Sequence, residues 1–196
     1  MLADGLWHKS TLEGAENETS TLLAAMVRHQ KPKRVLETGC AHGDTAEAIG
    51  EALHDNGRGI LYTCDTDPAM CEKTRERCSG LPVQVFQQEG ISLIGPDDTS
   101  AWSEVELSCH RWDFAFIDSW WTPVRVAEVR KLRDWMNPGG LVCLHDVCQN
   151  YQGVYYAMQE TGWPNIVLHT TYGLAVFQAP GMEWHIGTGK SAEITT

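Results

Sequence analysis

Residues 33–43 decide the fold of this chain, and they read Lys-Arg-Val-Leu-Glu-Thr-Gly-Cys-Ala-His-Gly. Val35 and Leu36 form a short apolar run after a proline, which is typical of the start of a buried strand. Gly39 and Gly43 then bracket a tight loop, and a helix-compatible segment follows at once. A strand, a glycine loop and a helix in this order let the backbone lie close to a ligand across the strand ends.

The bulk properties of the 196 residues indicate one soluble globular domain. We expect the domain to span residues 1–180, with an N-terminal arm and helix over 1–31, a core over 32–180, and a polar tail over 181–196. The net charge of −11 argues against broad nucleic-acid binding. No apolar run is long enough to span a bilayer, and the first residues do not resemble a signal peptide.

The cysteines favour a reducing compartment. The sequence contains seven cysteines, which is an odd number, and no two of them have the C-x-x-C spacing. We therefore expect free thiols and a cytoplasmic protein without a structural zinc site. A homo-oligomer is compatible with these features, and the expected partner is a small molecule rather than a nucleic acid or a membrane.

Apolar runs and turn signals alternate along the chain and predict its elements. Strands are expected near 35–37, 60–64, 83–87, 113–118, 141–144, 166–169 and 174–178. Helices are expected over 18–29, 44–53, 67–78, 124–136 and 151–160. Between residues 96 and 110 we expect a short helix around Ala101 and then an extended stretch, and residues 137–140, Asn-Pro-Gly-Gly, predict a turn.

This order predicts a doubly wound α/β fold: a mostly parallel, seven-stranded sheet with helices on both faces. The last two strands are too close in sequence for a crossover connection, so they should form a C-terminal antiparallel hairpin. Ligands of such sheets bind outside the carboxyl ends of the strands. Acidic residues interrupt the apolar pattern at those ends, at Glu37, Asp65, Glu89, Asp118 and Asp146.

Taken together, these motifs resemble the class I S-adenosylmethionine-dependent methyltransferases, over roughly residues 32–178. Residues 35–43 resemble the first motif of that family, residues 62–65 the second, residues 113–118 the fourth, and residues 137–142 the turn before its fifth strand. The family has the Rossmann-like methyltransferase fold, whose reversed last strand the predicted hairpin matches. The resemblance implies S-adenosylmethionine as cofactor.

The resemblance also assigns cofactor roles. The loop residues Glu37, Thr38, Gly39, Cys40 and Gly43 would approach the methionine moiety. Asp65, with Thr66 beside it, would hold the ribose hydroxyls, since an acid that ends the second strand can accept two hydrogen bonds. Gln88 or Glu89 would meet the adenine, and Asp118 would lie next to the cofactor.

Within the family, residues 117–121 and 144–146 are most similar to small O-methyltransferases of the catechol, caffeoyl-coenzyme A and antibiotic-sugar kind. The similarity implies that Asp118 and Asp146 bind one magnesium ion that orients a substrate hydroxyl. Two positions depart from that pattern: Val147 stands where an asparagine ligand is expected, and the expected lysine base falls near Trp121. His145 could compensate as a general base or as a ligand.

Several alternatives stay open at this point. Trp120, Trp121, Tyr151, Tyr155 and Tyr156 are candidates for an acceptor pocket, although aromatic residues at a loop–helix junction are as often core. A catalytically silent methyltransferase-like subunit is compatible with the two departures. A nicotinamide-dependent dehydrogenase is disfavoured by Ala41, which replaces the second glycine of a dinucleotide-binding motif, and by the hairpin.

Overall fold

The computed structural model describes residues 14–148 and 152–181. It contains seven strands: β1 Arg34–Thr38, β2 Ile60–Asp65, β3 Val83–Gln87, β4 Trp112–Ile117, β5 Met136–His145, β6 Asn165–Leu168 and β7 Leu174–Gln178. The helices are α1 Asn17–Gln30, α2 Asp44–Asp55, α3 Pro68–Arg77, α4 Gly90–Ile94, α5 Glu104–His110, α6 Thr122–Leu132 and α7 Gln152–Gln159, with a 3-10 turn at Arg133–Trp135.

The strands form one sheet in the order β3-β2-β1-β4-β5-β7-β6. The first five strands pair in parallel, whereas β7 is antiparallel to both β5 and β6. The predicted doubly wound sheet with a reversed C-terminal hairpin is therefore confirmed. The order reverses direction between β1 and β4, so the loops after these two strands diverge and leave a crevice at their carboxyl ends.

Helices cover both faces of the sheet, because alternate residues of each strand point to opposite sides. Val35 and Phe114 pack on one side with apolar residues of α1 and α2. Leu36 and Ala115 pack on the other side with residues of α4, α6 and α7. The central strands are thus apolar on both faces, as expected for a covered parallel sheet.

The prediction of an extended stretch before residue 110 is wrong, because this segment forms α5. Ser103 and Glu106 form a reciprocal capping box at its start: the Ser103 side chain accepts from the Glu106 amide, and the Glu106 carboxylate accepts from the Ser103 amide. The S-x-x-E spacing that produces this box is visible in the sequence. The short helix expected around Ala101 is a turn, and α4 was not predicted.

The turn predicted at residues 137–140 lies inside β5. The register with β4 shifts there, between Trp112 and Phe114, and Gly139 has φ of 78°. The Gly139 amide donates a 3.1 Å hydrogen bond to the Ala179 carbonyl, just after β7. Glycine tolerates this conformation, so the chain makes an irregularity in the strand instead of reversing direction.

Some predictions lie outside the described residues: most of the N-terminal arm, Tyr151 and the tail after residue 181. All seven cysteines are free thiols, as expected. Within residues 14–148 and 152–181, no helix combines the length and the apolar character that crossing a bilayer requires.

Leu36→Ala should destabilise the fold, because Leu36 is fully buried in β1, an inner strand of the sheet. Truncating a buried leucine costs about 2–5 kcal/mol of the free energy of unfolding. Val105→Ala is the control, since Val105 is 72% exposed and its truncation should change that energy by less than about 0.5 kcal/mol. Urea denaturation of both variants measures the difference, and equal stabilities would contradict the packing described here.

Candidate active site

A cavity of about 730 Å³ opens at the carboxyl ends of β1, β2, β4 and β5. Its walls come from the loops after these strands, including Gly39, Asp65, Glu89, Asp118 and Asp146. A cavity of this size suits a small organic ligand. The edge of the sheet that sequence reasoning singled out is therefore an edge that carries a cavity of this size.

The glycine loop approaches the end of β4 very closely. Gly39 has φ of 82°, and a Cβ atom built on it would lie 2.5 Å from the carbonyl oxygen of Asp118. The Gly39 amide donates to the Cys64 carbonyl at 2.9 Å, which holds the loop against the end of β2. Glycine is required here both by the left-handed backbone and by the absence of room for a side chain.

Asp65 ends β2 with its carboxylate on the cavity wall. Its two oxygens accept backbone hydrogen bonds from Ala41, at 3.1 Å, and from Asp67, at 3.0 Å. These bonds fix the orientation of the carboxylate, and each oxygen keeps a lone pair for a further donor. Two adjacent hydroxyl groups of a ligand could thus donate to Asp65.

The remaining residues predicted to bind a cofactor divide into two groups. Thr66, Gln88, Glu89 and Asp118 line the cavity. The other four do not line the cavity within the described part of the chain: Glu37 and Thr38 end β1, and Cys40 and Gly43 belong to the loop after it.

Glu37 is buried and accepts a 2.5 Å hydrogen bond from the hydroxyl of Thr63. Burial raises the pKa of Glu37 to about 8, although the bond from Thr63 opposes this shift. The carboxyl is therefore mostly neutral at pH 7. Its bond to Thr63 links β1 to β2, and it does not line the cavity in which the methionine moiety was expected.

The predicted acidic pair does come together. Nδ1 of His145 lies 3.1 Å from Oδ1 of Asp118 and 3.4 Å from Oδ1 of Asp146. Ligand atoms of these three residues all lie within 4.8 Å of one another, which is the spacing of a metal-binding group. Asp146 has φ of 61°, a left-handed backbone that turns its side chain back towards Asp118.

His145 is buried, and carboxylates face both of its ring nitrogens. Nε2 lies 2.8 Å from the carboxylate of Glu16, which precedes α1. Burial lowers the pKa of His145, but the charge of Asp118 and the hydrogen bonds to Asp118 and Glu16 raise it to about 10. The ring is thus an imidazolium at neutral pH, which argues against its predicted role as a general base.

Glu16 was not singled out in the sequence. Its carboxylate accepts from the hydroxyl of Thr19 at 3.0 Å and from the amide of Tyr172 at 3.1 Å, besides its contact with His145. Burial raises the pKa of Glu16, but the bond and the charge of His145 outweigh this and lower it to about 2. The ionised carboxylate of Glu16, just before α1, therefore contacts the Nε2 side of the His145 ring.

Arg125 is the second residue that sequence reasoning missed. It lies in the first turn of α6 and is 2% exposed. Nη2 donates to Asp118 at 2.7 Å and to Asp146 at 3.4 Å. The sequence does offer a signal that Arg125 has a particular role, because arginine is disfavoured near the positive N-terminal end of a helix.

The donor set fits a magnesium ion poorly. Three of the four carboxylate oxygens of Asp118 and Asp146 already face the guanidinium of Arg125 or the ring of His145, and only Oδ2 of Asp118 does not. Like unit charges about 4 Å apart repel by about 4 kcal/mol at an effective dielectric constant near 20, and a divalent ion doubles this. Val147 offers no side-chain oxygen either, so the two carboxylates would have to hold the ion beside the fixed positive charge of Arg125.

Two aromatic residues flank the acidic pair on the open side of the cavity. Trp120 and Trp121 follow β4, line the cavity, and are 83% and 64% exposed. Tyr155 packs against Phe177 instead, with ring centroids 5.6 Å apart, and Tyr156 is exposed away from the cavity. The aromatic face of the site therefore comes from the loop before α6 and not from α7.

Comparisons with known proteins agree with this architecture. Residues 36–147, more than half of the chain, match a family model described as a methyltransferase domain. No curated protein matches the chain in sequence.

Solved structures share the fold at low sequence identity. The O-methyltransferase TomG from Streptomyces achromogenes, solved with S-adenosylmethionine, is 17% identical over 86% of this chain and 82% of its own, with a TM-score of 0.68. An O-methyltransferase from Bacillus cereus, solved with S-adenosylhomocysteine, is 14% identical over 86% and 84%, with a TM-score of 0.66. The N-methyltransferase NodS from Bradyrhizobium japonicum is 14% identical over 83% and 95%, with a TM-score of 0.61.

The family match covers the glycine loop, Asp65, Arg125 and the acidic pair, and the sheet has the reversed hairpin that the resemblance implied. On this evidence the chain belongs to the methyltransferase domain family and has the class I fold.

Proposed function

We propose that this protein transfers the methyl group of S-adenosylmethionine to a hydroxyl group of a small molecule. The observation that carries the proposal is that Gly39 and Asp65 line the same cavity as Asp118 and Asp146. Asp65 and the backbone at Gly39 offer a site for a ribose and its neighbouring group, and Asp118 and Asp146 offer carboxylates for an acceptor.

The cofactor would lie across the ends of β1 and β2. Asp65 would accept hydrogen bonds from both ribose hydroxyls, with Thr66 beside it, and Gln88 and Glu89 would contact the adenine. Gly39 would leave room for the methionine moiety. Glu37, Thr38, Cys40 and Gly43 would act indirectly, by shaping the end of β1 and the loop that carries Gly39.

The acceptor would enter beside Trp120 and Trp121. Methyl transfer is a direct displacement, so the site must align the acceptor oxygen, the methyl carbon and the sulfur, and must take up one proton. Oδ1 of Asp118 is held by Arg125 and His145, and within the described residues Oδ2 has no hydrogen-bond partner. Oδ2 would accept the hydrogen bond, and then the proton, of the hydroxyl.

The structural neighbours support both parts of the proposal. TomG and the Bacillus cereus protein are named as O-methyltransferases and were solved with S-adenosylmethionine and S-adenosylhomocysteine, respectively. Magnesium assistance stays a prediction. The proximity of Asp118 and Asp146 supports it and the cations beside them oppose it, so no step proposed here depends on a metal ion.

Calorimetric titration of the purified protein with S-adenosylmethionine, S-adenosylhomocysteine and NAD tests the cofactor. We expect binding of the first two and none of NAD; the opposite result would favour a dehydrogenase. Transfer of a radiolabelled methyl group to catechol, caffeate and a nucleoside diphosphate sugar then tests the acceptor class. Cofactor binding without transfer to any hydroxyl compound would favour a catalytically silent subunit.

Asp65→Ala should weaken the binding of S-adenosylhomocysteine. Unpairing buried hydrogen-bonding groups costs about 1–3 kcal/mol, which corresponds to a loss of affinity of roughly 5- to 150-fold. Asp55→Ala is the matched control, because Asp55 ends α2 in an exposed ion pair with Arg28. Unchanged affinity in a folded Asp65→Ala protein would remove Asp65 from the ribose site.

Asp118→Asn should lower kcat by roughly 100-fold, because the variant can orient a hydroxyl but cannot take its proton. The affinity for S-adenosylhomocysteine should change much less than kcat. Asp55→Asn carries the same substitution at a surface position and should leave both constants as in the wild type. A variant with full kcat would show that another group accepts the proton.

A further inference from the structure

The geometry around Arg125 carries an inference about how the site holds its acids. Arg125, Asp118 and Asp146 all line the cavity, with side chains that are 3%, 15% and 19% exposed, respectively. The guanidinium is thus the most deeply buried of the three charged groups. A charge in that place can orient the two acids while their carboxylates stay partly exposed to the cavity.

Arg125 bonds to the backbone as well as to the acids. Nε donates to the carbonyl of Ser119, in the loop after β4. Nη1 donates to the carbonyl of His145 at 3.0 Å, at the end of β5. The planar guanidinium of Arg125 thus joins the ends of β4 and β5. It bonds to a backbone carbonyl at each strand end and to the carboxylate that follows each strand.

This arrangement is what a bound divalent ion would otherwise provide. An ion that bridges the acids after β4 and β5 would fix their orientation and balance their charge. Arg125 does both, and its charge cannot be lost by deprotonation or by chelation. The left-handed backbone of Asp146, with φ of 61°, brings that carboxylate to the guanidinium.

We infer that Arg125 is the resident cation of the acidic pair, so that the site binds and methylates its acceptor without a divalent metal ion. The inference rests on the proposed function, because it concerns the same acids and the same acceptor. Arg125 is a positioning residue: it fixes Asp118 and Asp146, and Asp118 meets the hydroxyl.

Manganese binding tests the inference without any assay of turnover. Mn²⁺ is added to the wild type and to Asp146→Asn, and electron paramagnetic resonance counts the bound ions. We expect equal counts, because only exposed surface acids should bind Mn²⁺. One additional ion on the wild type would overturn the inference and return the acidic pair to a metal.

Arg125→Met should convert the pair into a metal site. Breaking a buried ion pair from one side should lower Tm by roughly 10 °C, and Mn²⁺ or Mg²⁺ should restore part of the loss. Arg130→Met is the control, since Arg130 lies on the same helix in an exposed pair with Glu160. Its Tm should stay near that of the wild type and should not respond to either ion. An Arg125→Met protein that folds but whose Tm does not respond to either ion would overturn the inference. If the variant does not fold, the number of Mn²⁺ ions bound to the wild type tests the inference instead.

Chelation separates this inference from the proposed function. Wild-type protein treated with EDTA should bind S-adenosylhomocysteine with unchanged affinity and should transfer methyl groups at an unchanged rate. Loss of the rate, with recovery in magnesium, would overturn the inference and leave the proposed function intact. Absence of cofactor binding with and without metal would instead reject the proposed function.

Discussion

The ion pair between Arg125 and Asp118, 2.7 Å long and almost completely buried on the arginine side, is the interaction on which the site depends. Burying a guanidinium costs several kcal/mol of solvation, so it is tolerated only when nearly every donor has a partner. Here the partners are the two carboxylates and two backbone carbonyls at the ends of β4 and β5. The relative position of these strand ends is therefore tied to the satisfaction of one side chain.

Groups of opposite charge surround that pair. The carboxylates of Asp118 and Asp146 contact the guanidinium of Arg125, and those of Glu16, Asp118 and Asp146 contact the ring of His145. Burial still raises the pKa of Asp146, but pairing reduces the cost of placing such acids in a partly buried cavity. The protein thus carries its acids into a partly buried cavity by pairing them, while Glu37 and Glu128 lie deeper and burial raises the pKa of each.

The sequence was sufficient for the sheet because each prediction there rests on a local pattern. Apolar runs end in an acid at Glu37 and Asp65, and the short connection after β6 excludes a crossover, so strand positions and the reversed hairpin follow. Where local patterns compete, the sequence misled: residues 137–140 have every feature of a turn, but pairing with β4 and β7 keeps them in β5. Tertiary hydrogen bonds outweighed the local preference.

The composition of the site was less accessible, because it depends on partners far apart in the chain. Asp118 and Asp146 could be placed together from the sheet alone. Packing between elements brings Arg125 to both acids and Glu16 to His145. No spacing of residues in the sequence predicts either contact. The carboxylate partners of His145 raise its pKa, which argues against the role of a general base that was predicted for it.

The contacts of Glu16 also have a consequence for how the site forms during synthesis. Glu16 meets His145 and Tyr172 across 129 and 156 positions of the chain. Contacts of such long range form slowly, because most of the chain must be ordered before they are made. A growing chain that has reached Asp146 already contains every acid of the site but lacks Tyr172. The bond from the Tyr172 amide to Glu16 can therefore form only after the connection between β6 and β7 has been made.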